Sequence, residues 1–459
     1  MWSDRRPSTQ SADSDRRRGL ESIDYRARLL ERFENKTAVI GVVGLGYVGL
    51  PLSLAILRQG FTVYGLDSDS HKTDVLRSGQ SYLKHIQADD LGVFVSKGTF
   101  RPSSDYSLVE HLDAVIMCVP TPLGLHQEPD LSFVSDTVRD LLPYMHPGML
   151  ISLESTTYPG TTEEIIAEPI NSQGYRIGEE IFVAYSPERE DPGNSDFLTH
   201  RIPKIIGGIT PECLEVAAAM YECIVERVVR VSSTRTAEMT KLLENIYRAV
   251  NIGLVNEIKM VADSMGIDIW EVIRAASTKP FGYTPFYPGP GLGGHCIPID
   301  PYYLTWKAKE YGIATRFVEL AGETNRSMPG WVVQKATAAL NQRGVVMSRA
   351  RVLILGVSYK KNIDDIRESP AFEIIAQLLA LGVHVDYADP HVPRLPPMRK
   401  HTFCMSSVEA TPAVIAAYDC VVLVTDHDAF DFEMIGDVAN CLVDTRGRYG
   451  PLSSRVVCA

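Results

Sequence analysis

The sequence has no run of about 20 uncharged apolar residues, the length a membrane span requires, so no membrane crossing is expected anywhere in its 459 residues. Nor does the opening stretch "MWSDRRPSTQSADSDRRRG" hold the apolar segment of a secretory signal. The chain is therefore expected to be cytoplasmic. Basic residues are in deficit: 45 Lys and Arg against 57 Asp and Glu leave a net charge of -12. Such a surface repels polyanions on average, which argues against nucleic acid or an anionic membrane as partner. Cysteine is scarce and scattered, with 8 residues and no CxxC pair. Neither a disulfide framework nor a metal site is expected, and most cysteines are read as small buried hydrophobes. No short-period repeat runs through the chain.

What is there is a chain 45% hydrophobic and 22% charged, able to bury substantial cores and long enough for about three domains. Residues 1–35 mix Arg, Asp and Ser with few large apolar side chains and are expected to form a disordered tail. Its arginine clusters either stay solvated or hold an acidic partner. Pattern then begins abruptly at "TAVIGVVGLGYVGLPLSLAILRQGFTVYGLDSD". Ala38 to Val43 reads as a buried strand, Leu50 to Gln59 as a helix and Thr62 to Leu66 as the next strand. Further strand-like runs at "AVIMCVP", "MLISLES" and "IFVAYSP" continue a parallel α/β domain over 36–210. Long helix-period segments such as "TRTAEMTKLLENIYRAVNIGLVNEIKMVADSMG" make 211–330 a helical middle. Strands and a helix return in "RVLILGVSYK", "SPAFEIIAQLLALG", "HVDYADP" and "DCVVLVTDH", a second and smaller α/β domain over 331–459.

Gly44-Leu45-Gly46-Tyr47-Val48-Gly49 is a GxGxxG that follows a strand, opens a helix and is trailed by Asp67 at the end of the second strand. That context marks a dinucleotide site. Gly44 permits the tight turn, Gly46 lets the backbone approach a pyrophosphate, and Gly49 allows close helix–strand packing. Tyr47 and Val48 complete the loop that would hold the phosphates at the positive end of the helix. Asp67 accepts hydrogen bonds from a ribose 2'-hydroxyl and repels a 2'-phosphate, which favours NAD over NADP.

Polar groups follow where later strands end. Pro120 and Thr121 come after one strand, and Glu154, Ser155 and Thr156 after the next, where ligands of open α/β sheets bind. Hydroxyl-rich loops also occur without any ligand. Glu188 is set apart only by its place behind Pro187 at a strand end. Lys241, Asn245 and Arg248 fall at i, i+4 and i+7 of the long helix, on one face. Burying such groups is costly without partners, so that face either borders a site or forms an interdomain salt-bridge stripe. Cys296 stands in "GPGLGGHCIPID", where Gly293 and Gly294 remove side chains around it. A single cysteine is more often packing than nucleophile. Beside an NAD site the balance shifts toward oxidation of an aldehyde to an acid through a thiohemiacetal and a thioester, with Lys241 the cation that would favour the thiolate.

In this order, "GVVGLGYVGLPL", "ESTTYPGTT", "YSPEREDPGN", "ENIYRAVNIGLVNE", "GPGLGGHCIPIDPYYL" and "GVSYKKNIDDIRESPAFEII" resemble the UDP-glucose/GDP-mannose dehydrogenase family over nearly the whole chain after the tail. The resemblance implies an α/β fold class with two Rossmann-like parallel-sheet domains joined by a long-helix central region. The first domain binds NAD, the middle dimerises, and the last binds the nucleotide of a UDP-sugar. It also implies a homodimer or higher homo-oligomer, and oxidation of a nucleotide sugar's 6-hydroxymethyl group to a carboxylate with two NAD and one water. Residue by residue, it makes Cys296 the catalytic cysteine. Lys241 and Asn245 become the pair that stabilises oxyanions and holds the water, and both meet the substrate together with Glu188 and Gly293. Asp300 and Thr156 hold the water, Thr156 also bordering the cofactor, and Glu188 serves acid/base work at the thioester. Lys360 matches a nucleotide-phosphate contact and Arg367 a cofactor contact across the domain gap.

One segment departs from the UDP-glucose pattern. "STKPFGYTPFYPGPGLGGHC" contains no arginine ahead of the cysteine, where UDP-glucose dehydrogenases commonly have one. Its wording is closer to the branch that oxidises UDP-N-acetylglucosamine or a related N-acetylhexosamine, which would supply uronic acid sugars for a surface polysaccharide or glycoconjugate. UDP-glucose is the runner-up. A two-electron β-hydroxyacid dehydrogenase would need neither Cys296 nor a third domain, and a non-catalytic binder of NAD and nucleotide sugar would not need Cys296, Lys241, Asn245 and Asp300 together.

Overall fold

The structure, a computed structural model, describes residues 23–83, 86, 88–124, 126–189, 201–294, 297–398, 400–450 and 455–459. Two sheets organise it. The first has eight strands: β1 (Val39–Val43), β2 (Thr62–Leu66), β3 (Phe100–Ser103), β4 (Ala114–Met117), β5 (Met149–Leu153), β6 (Ile181–Tyr185), β7 (Lys204–Gly208) and β8 (Val228–Arg230). Their order is β3-β2-β1-β4-β5-β6-β7-β8, all neighbours parallel except β6 and β7. The second holds β9 (Arg351–Leu355), β10 (His384–Ala388), β11 (Cys420–Leu423), β12 (Leu442–Asp444) and β13 (Val456–Cys458), in the order β10-β9-β11-β12-β13 and wholly parallel.

Both sheets are covered on two faces, so their strands read as continuous apolar runs. Successive side chains still part company. Val352 and Ile354 enter one core, Leu353 and Leu355 the other. The helices that matter for the site are α1 (Tyr25–Glu34), α2 (Gly49–Arg58), α3 (Pro211–Glu222), α4 (Thr234–Ser264), α5 (Ile269–Ala276), α6 (Asp300–Glu310), α7 (Arg316–Gln342) and α8 (Pro370–Ala380). Several starts follow directly from sequence. Thr210 caps α3, Ser233 caps α4 and Ser369 caps α8 by accepting backbone N–H bonds, with Pro211 and Pro370 in the first turn.

Three expected boundaries shift. Residues 1–22 of the tail lie outside the described residues, but Tyr25–Glu34 form α1, with Leu29 and Phe33 buried in the first core and Arg32 paired to Asp113 at 2.7 Å. An apolar pair one turn apart suffices to dock a helix even where the surrounding composition is charged. Helix α3 and strand β8, beyond the expected boundary at 210, join the first sheet and its core. The boundary expected at 330 falls inside α7, which runs through a buried Pro329. Proline removes the N–H that would serve the carbonyl of Asn325. The segment at Gly291 (φ +135) packs there, and a Cβ on it would lie 3.4 Å from that oxygen.

Helices α4 and α7 form the middle. They approach closely enough that a Cβ on Gly253 would lie 3.1 Å from the Cα of Ala321. The Asn256 amide donates to Asn325 Oδ1 at 2.9 Å, and Asn325 donates to the Ala249 carbonyl at 3.0 Å. Among the described residues no helix is long and apolar enough to cross a membrane.

One residue of α4 is held at a cost. Lys259 is 3% exposed, and its Nζ has no hydrogen-bond partner among the described residues. Burial pushes it down from 10.5 to about 7, against the pull of Asp444. Because the folded state gives up this proton sooner than the unfolded chain, the penalty is full below pH 7 and fades as pH rises from about 7 toward 10.5. Lys259→Met should therefore raise stability at neutral pH by about 1–3 kcal/mol. Melting curves at pH 7 and pH 10 check this: the gap between variant and wild type should narrow at the higher pH.

Candidate functional site

The turn after β1 is built for close backbone approach. Gly44 sits at φ +89, donates its N–H to the Leu66 carbonyl at 2.8 Å, and a Cβ there would lie 2.7 Å from the Cys118 carbonyl oxygen. A Cβ on Gly49, the first residue of α2, would lie 1.9 Å from the Gly44 oxygen, so strand and helix touch through bare backbone. A Cβ on Gly46 would meet nothing within 4 Å. The open side of the loop is thus at Gly46, at the N-terminal end of α2, with exposed Tyr47 and half-buried Val48 beside it.

Asp67 lies just past β2 and is 6% exposed. Its carboxylate accepts the Leu45 N–H at 2.9 Å and the Asp69 N–H at 3.0 Å, with the Lys72 ammonium 3.3 Å away. The open glycine turn and the carboxylate at the neighbouring strand end fit a dinucleotide, its phosphates at the helix start and a ribose toward Asp67.

The loops after β4 and β5 flank this turn. Pro120 is exposed, whereas Thr121 is buried and its carbonyl accepts the Tyr303 hydroxyl at 3.0 Å. Ser155 Oγ donates to the Val119 carbonyl at 2.6 Å, tying the two loops together, and Thr156 stands half-buried next to it. Just beyond, α4 reaches in. Glu238 accepts the N–H of Gly160 at 2.6 Å, and the N–H and hydroxyl of Thr162 at 2.9 and 2.7 Å. Burial pushes its carboxyl up to about 7, against those hydrogen bonds.

Further along the same face of α4, Lys241 donates its ammonium to the Glu188 carbonyl, and the Asn245 amide donates to Asp300. Asp300 opens α6 and is 1% exposed. Burial raises it to about 6, while the charge of Lys241 and the Asn245 bond pull the other way. Lys241, Asn245, Asp300 and the backbone of Glu188 thus meet at one point. Arg248, expected on this face, is exposed and stays outside the cluster. Arg189, next to Glu188, is not a free loop charge: it pairs with Glu244 at 2.5 Å and donates to the Pro203 carbonyl at 2.7 Å.

Cys296 and His295 lie outside the described residues, but the segment leading to them is well anchored. Asn256 Oδ1 accepts the Gly289 N–H at 2.9 Å. Gly293 presses against the C-terminal domain, where a Cβ would lie 2.5 Å from that of Tyr359. Gly294, at φ +88, donates its N–H to the Arg367 carbonyl at 3.0 Å. The Arg367 guanidinium is gripped by Asp365 at 2.6 Å and lies 4.7 Å above the Tyr47 ring. One residue of the last domain therefore touches both the dinucleotide turn and the run toward Cys296. Lys360, half-buried, follows Tyr359 on the same loop.

Reading the sequence missed three contributors. Glu238 stands one turn before Lys241, so extending the polar stripe backwards would have found it. Lys204, at the start of β7, is a buried lysine inside an apolar run. Arg446 follows β12, donates to the Val424 carbonyl at 2.7 Å and packs against Gly289, where a Cβ would lie 3.1 Å from its Nη1.

Comparison with known proteins agrees with this arrangement. Three family models of the UDP-glucose/GDP-mannose dehydrogenases match in order: the NAD binding domain over residues 38–225, the central domain over 235–327 and the UDP binding domain over 353–451. The chain is 35% identical over 426 residues to an NDP-N-acetyl-D-galactosaminuronic acid dehydrogenase of Ralstonia nicotianae, covering 89% of this chain and 96% of that one. It is 34% identical over 399 residues to a UDP-N-acetyl-D-glucosamine 6-dehydrogenase of Pseudomonas aeruginosa, covering 86% and 92%. A solved UDP-D-ManNAc dehydrogenase from Pyrococcus horikoshii superposes with a TM-score of 0.82 at 30% identity, over 91% of this chain and 98% of that one. With a dinucleotide turn, a polar helix face and a second parallel sheet meeting at one place, and all three models matching in order, the chain belongs to the UDP-glucose/GDP-mannose dehydrogenase family and is an NAD-dependent UDP-sugar dehydrogenase.

Proposed function

We propose that this chain oxidises the 6-hydroxymethyl group of a UDP-N-acetylhexosamine, UDP-N-acetylglucosamine foremost, to the carboxylate through an acyl group carried on Cys296. The observation that carries the proposal is the meeting of Lys241, Asn245, Asp300 and the Glu188 backbone; beside it, Arg367 joins the dinucleotide turn at Tyr47 to Gly294, on the run toward Cys296. When bound, NAD supplies the hydride acceptor twice over, so that CH2OH, one water and two NAD+ become COO−, two NADH and three protons. The sulfur of Cys296 adds to the aldehyde carbon and leaves it as thiolate when water cleaves the thioester. Lys241 and Asn245 stabilise the oxyanion at each tetrahedral stage. Asp300 and Thr156 hold the water, and Glu188 takes its proton. Gly293 lies along the sugar, Lys360 meets the phosphates, and Arg367 completes the cofactor side.

The N-acetyl preference is supported by the arginine-free segment ahead of Cys296 and by its exposed aromatics, with Phe281, Tyr283 and Tyr287 all accessible. A homodimer is part of the proposal. Leu243, Tyr247, Leu254, Ile258 and Val261 leave an apolar stripe exposed along α4, and stripes of this kind mark association surfaces. So is a cytoplasmic setting, supported by cysteines scattered without a pairing pattern.

Purified protein incubated with NAD and a panel of UDP-GlcNAc, UDP-ManNAc, UDP-glucose and GDP-mannose tests the activity, with NADH followed and the acid identified. UDP-GlcNAc should exceed UDP-glucose in kcat/KM by roughly 10- to 100-fold, the worth of one well-placed group in a pocket. Equal or reversed constants would remove the N-acetyl assignment, and no turnover of any sugar would remove the activity. Asp67→Asn should raise the KM for NAD and admit NADP, since the carboxylate is lost and Lys72 is released toward a 2'-phosphate. Wild-type protein that already prefers NADP contradicts the role given to Asp67. Light scattering should give twice the chain mass of 50.8 kDa, and Leu254→Arg should bring it back to one chain.

A further inference from the structure

Behind Glu188 lies a cluster of ionisable groups that the chemistry above does not use. Lys204, at the start of β7, has a side chain only 7% exposed, and its ammonium donates to Glu154 Oε2 at 2.6 Å and to Glu188 Oε2 at 3.1 Å. The Glu154 side chain is wholly buried, and its other oxygen accepts the Tyr221 hydroxyl at 2.6 Å, itself 2.9 Å from Ser152 Oγ. The Glu188 side chain is the outward end, 15% exposed, and its Oε1 accepts the Arg189 N–H at 2.6 Å. Burying two carboxylates and an ammonium costs more than an apolar filling of the same space, so stability alone does not account for the arrangement. Its asymmetry does suggest a use: a sealed carboxylate pins a cation, and the cation holds the more exposed carboxylate of Glu188, whose own backbone carbonyl is bound by Lys241.

We propose that Glu154 and Lys204 are a positioning pair for Glu188, in which Glu154 anchors the Lys204 ammonium and that ammonium keeps the Glu188 carboxylate ionised and in a single orientation. This rests on the role given above to Glu188, as the base for hydrolysis of the enzyme-bound acyl group. In that step a water oxygen bonds to the acyl carbon, the carbon–sulfur bond breaks with its electrons on sulfur, and the water's proton passes to Glu188. Hydrolysis needs no oxidant. Among the described residues, the charged and titratable groups around Glu188 are Lys204 from β7, Glu154 from the end of β5, Tyr221 from α3, Arg189 with its partner Glu244, and Lys241 of α4 on the Glu188 carbonyl, with Asp300 beyond it. Burial pushes Glu154 up to about 7 in spite of Lys204, while the two carboxylates outweigh burial and hold Lys204 above its ordinary value.

The two residues pull in opposite directions, and that supplies the test. Single-turnover release of the acid is measured against pH. Glu154→Gln removes the charge that Glu154 gains as pH rises through about 7 and leaves Lys204 facing Glu188 alone, so the acidic limb of the profile should move down, by up to about 1 pH unit. Lys204→Met leaves two carboxylates with no cation between them, so the limb should move up by a similar amount and acid release near neutrality should slow roughly tenfold. Lys204→Arg, which keeps the charge, should restore most of the loss. A structural role alone would lower melting temperature without displacing the limb. Limbs that stay put, or that move the same way in both variants, overturn the proposal. Should Lys204→Met not fold, Glu154→Gln decides by itself: a downward shift supports the pair, and an unmoved limb sinks it. Glu188→Gln separates the two levels, because acid release at the wild-type rate in that variant means that the role of Glu188, and not only its positioning, is wrong.

Discussion

A polar stripe runs along the buried face of α4, and each group on it must find a partner or bear the cost of desolvation. Glu238 finds the backbone of Gly160 and Thr162, Lys241 the carbonyl of Glu188, Asn245 the carboxylate of Asp300, and Asn256 both Asn325 and Gly289. These partners sit on the loop after β5, the loop after β6, the start of α6, the helix α7 and the glycine run toward Cys296. One helix therefore sets the mutual positions of five segments that are far apart in sequence. Because an α-helix is stiff and its side chains recur every three or four residues, that spacing becomes the spacing of the site.

The second organising contact is made by backbone. Gly44, Gly49 and Gly293 are each places where a Cβ would collide with another main chain or side chain, whereas Gly46 opens onto free space. Glycine thus does two different jobs in this chain, closing packing at some positions and leaving approach open at one. Arg367 joins these regions, since its carbonyl holds Gly294 while its guanidinium covers Tyr47. The last domain accordingly shapes the first domain's cofactor turn rather than standing apart from it.

Electrostatics inside the site follow from burial. Glu154, Glu238 and Asp300 are all raised toward neutrality by desolvation, and each is opposed by specific donors or cations. Lys241 and Lys204 are the cations set among these carboxylates, Lys241 on the Glu188 carbonyl and Lys204 between Glu154 and Glu188. Lys259 shows the opposite case, a buried amine with its charge poorly repaid.

By itself the sequence determined the local features. The strand–GxGxxG–helix unit with Asp67, the long helix carrying Lys241 and Asn245, and the return of strands and a helix in a second α/β domain all follow from short-range periodicity and from glycine's conformational freedom. The resemblance of six ordered motifs reached further and named the family. Elements whose signal is short or mixed were not legible: β8, β12 and β13 have three residues each, too few for a period, and α1 hides two anchoring side chains in a charged stretch. Only the tertiary structure decided that β7 runs antiparallel to β6, that Arg248 turns outward while Lys241 and Asn245 turn in, and that Lys204 bridges Glu154 and Glu188. Those pairings join residues 16 to 55 positions apart. No local pattern encodes such a partnership, because it exists only once the sheet order has brought the strand ends together.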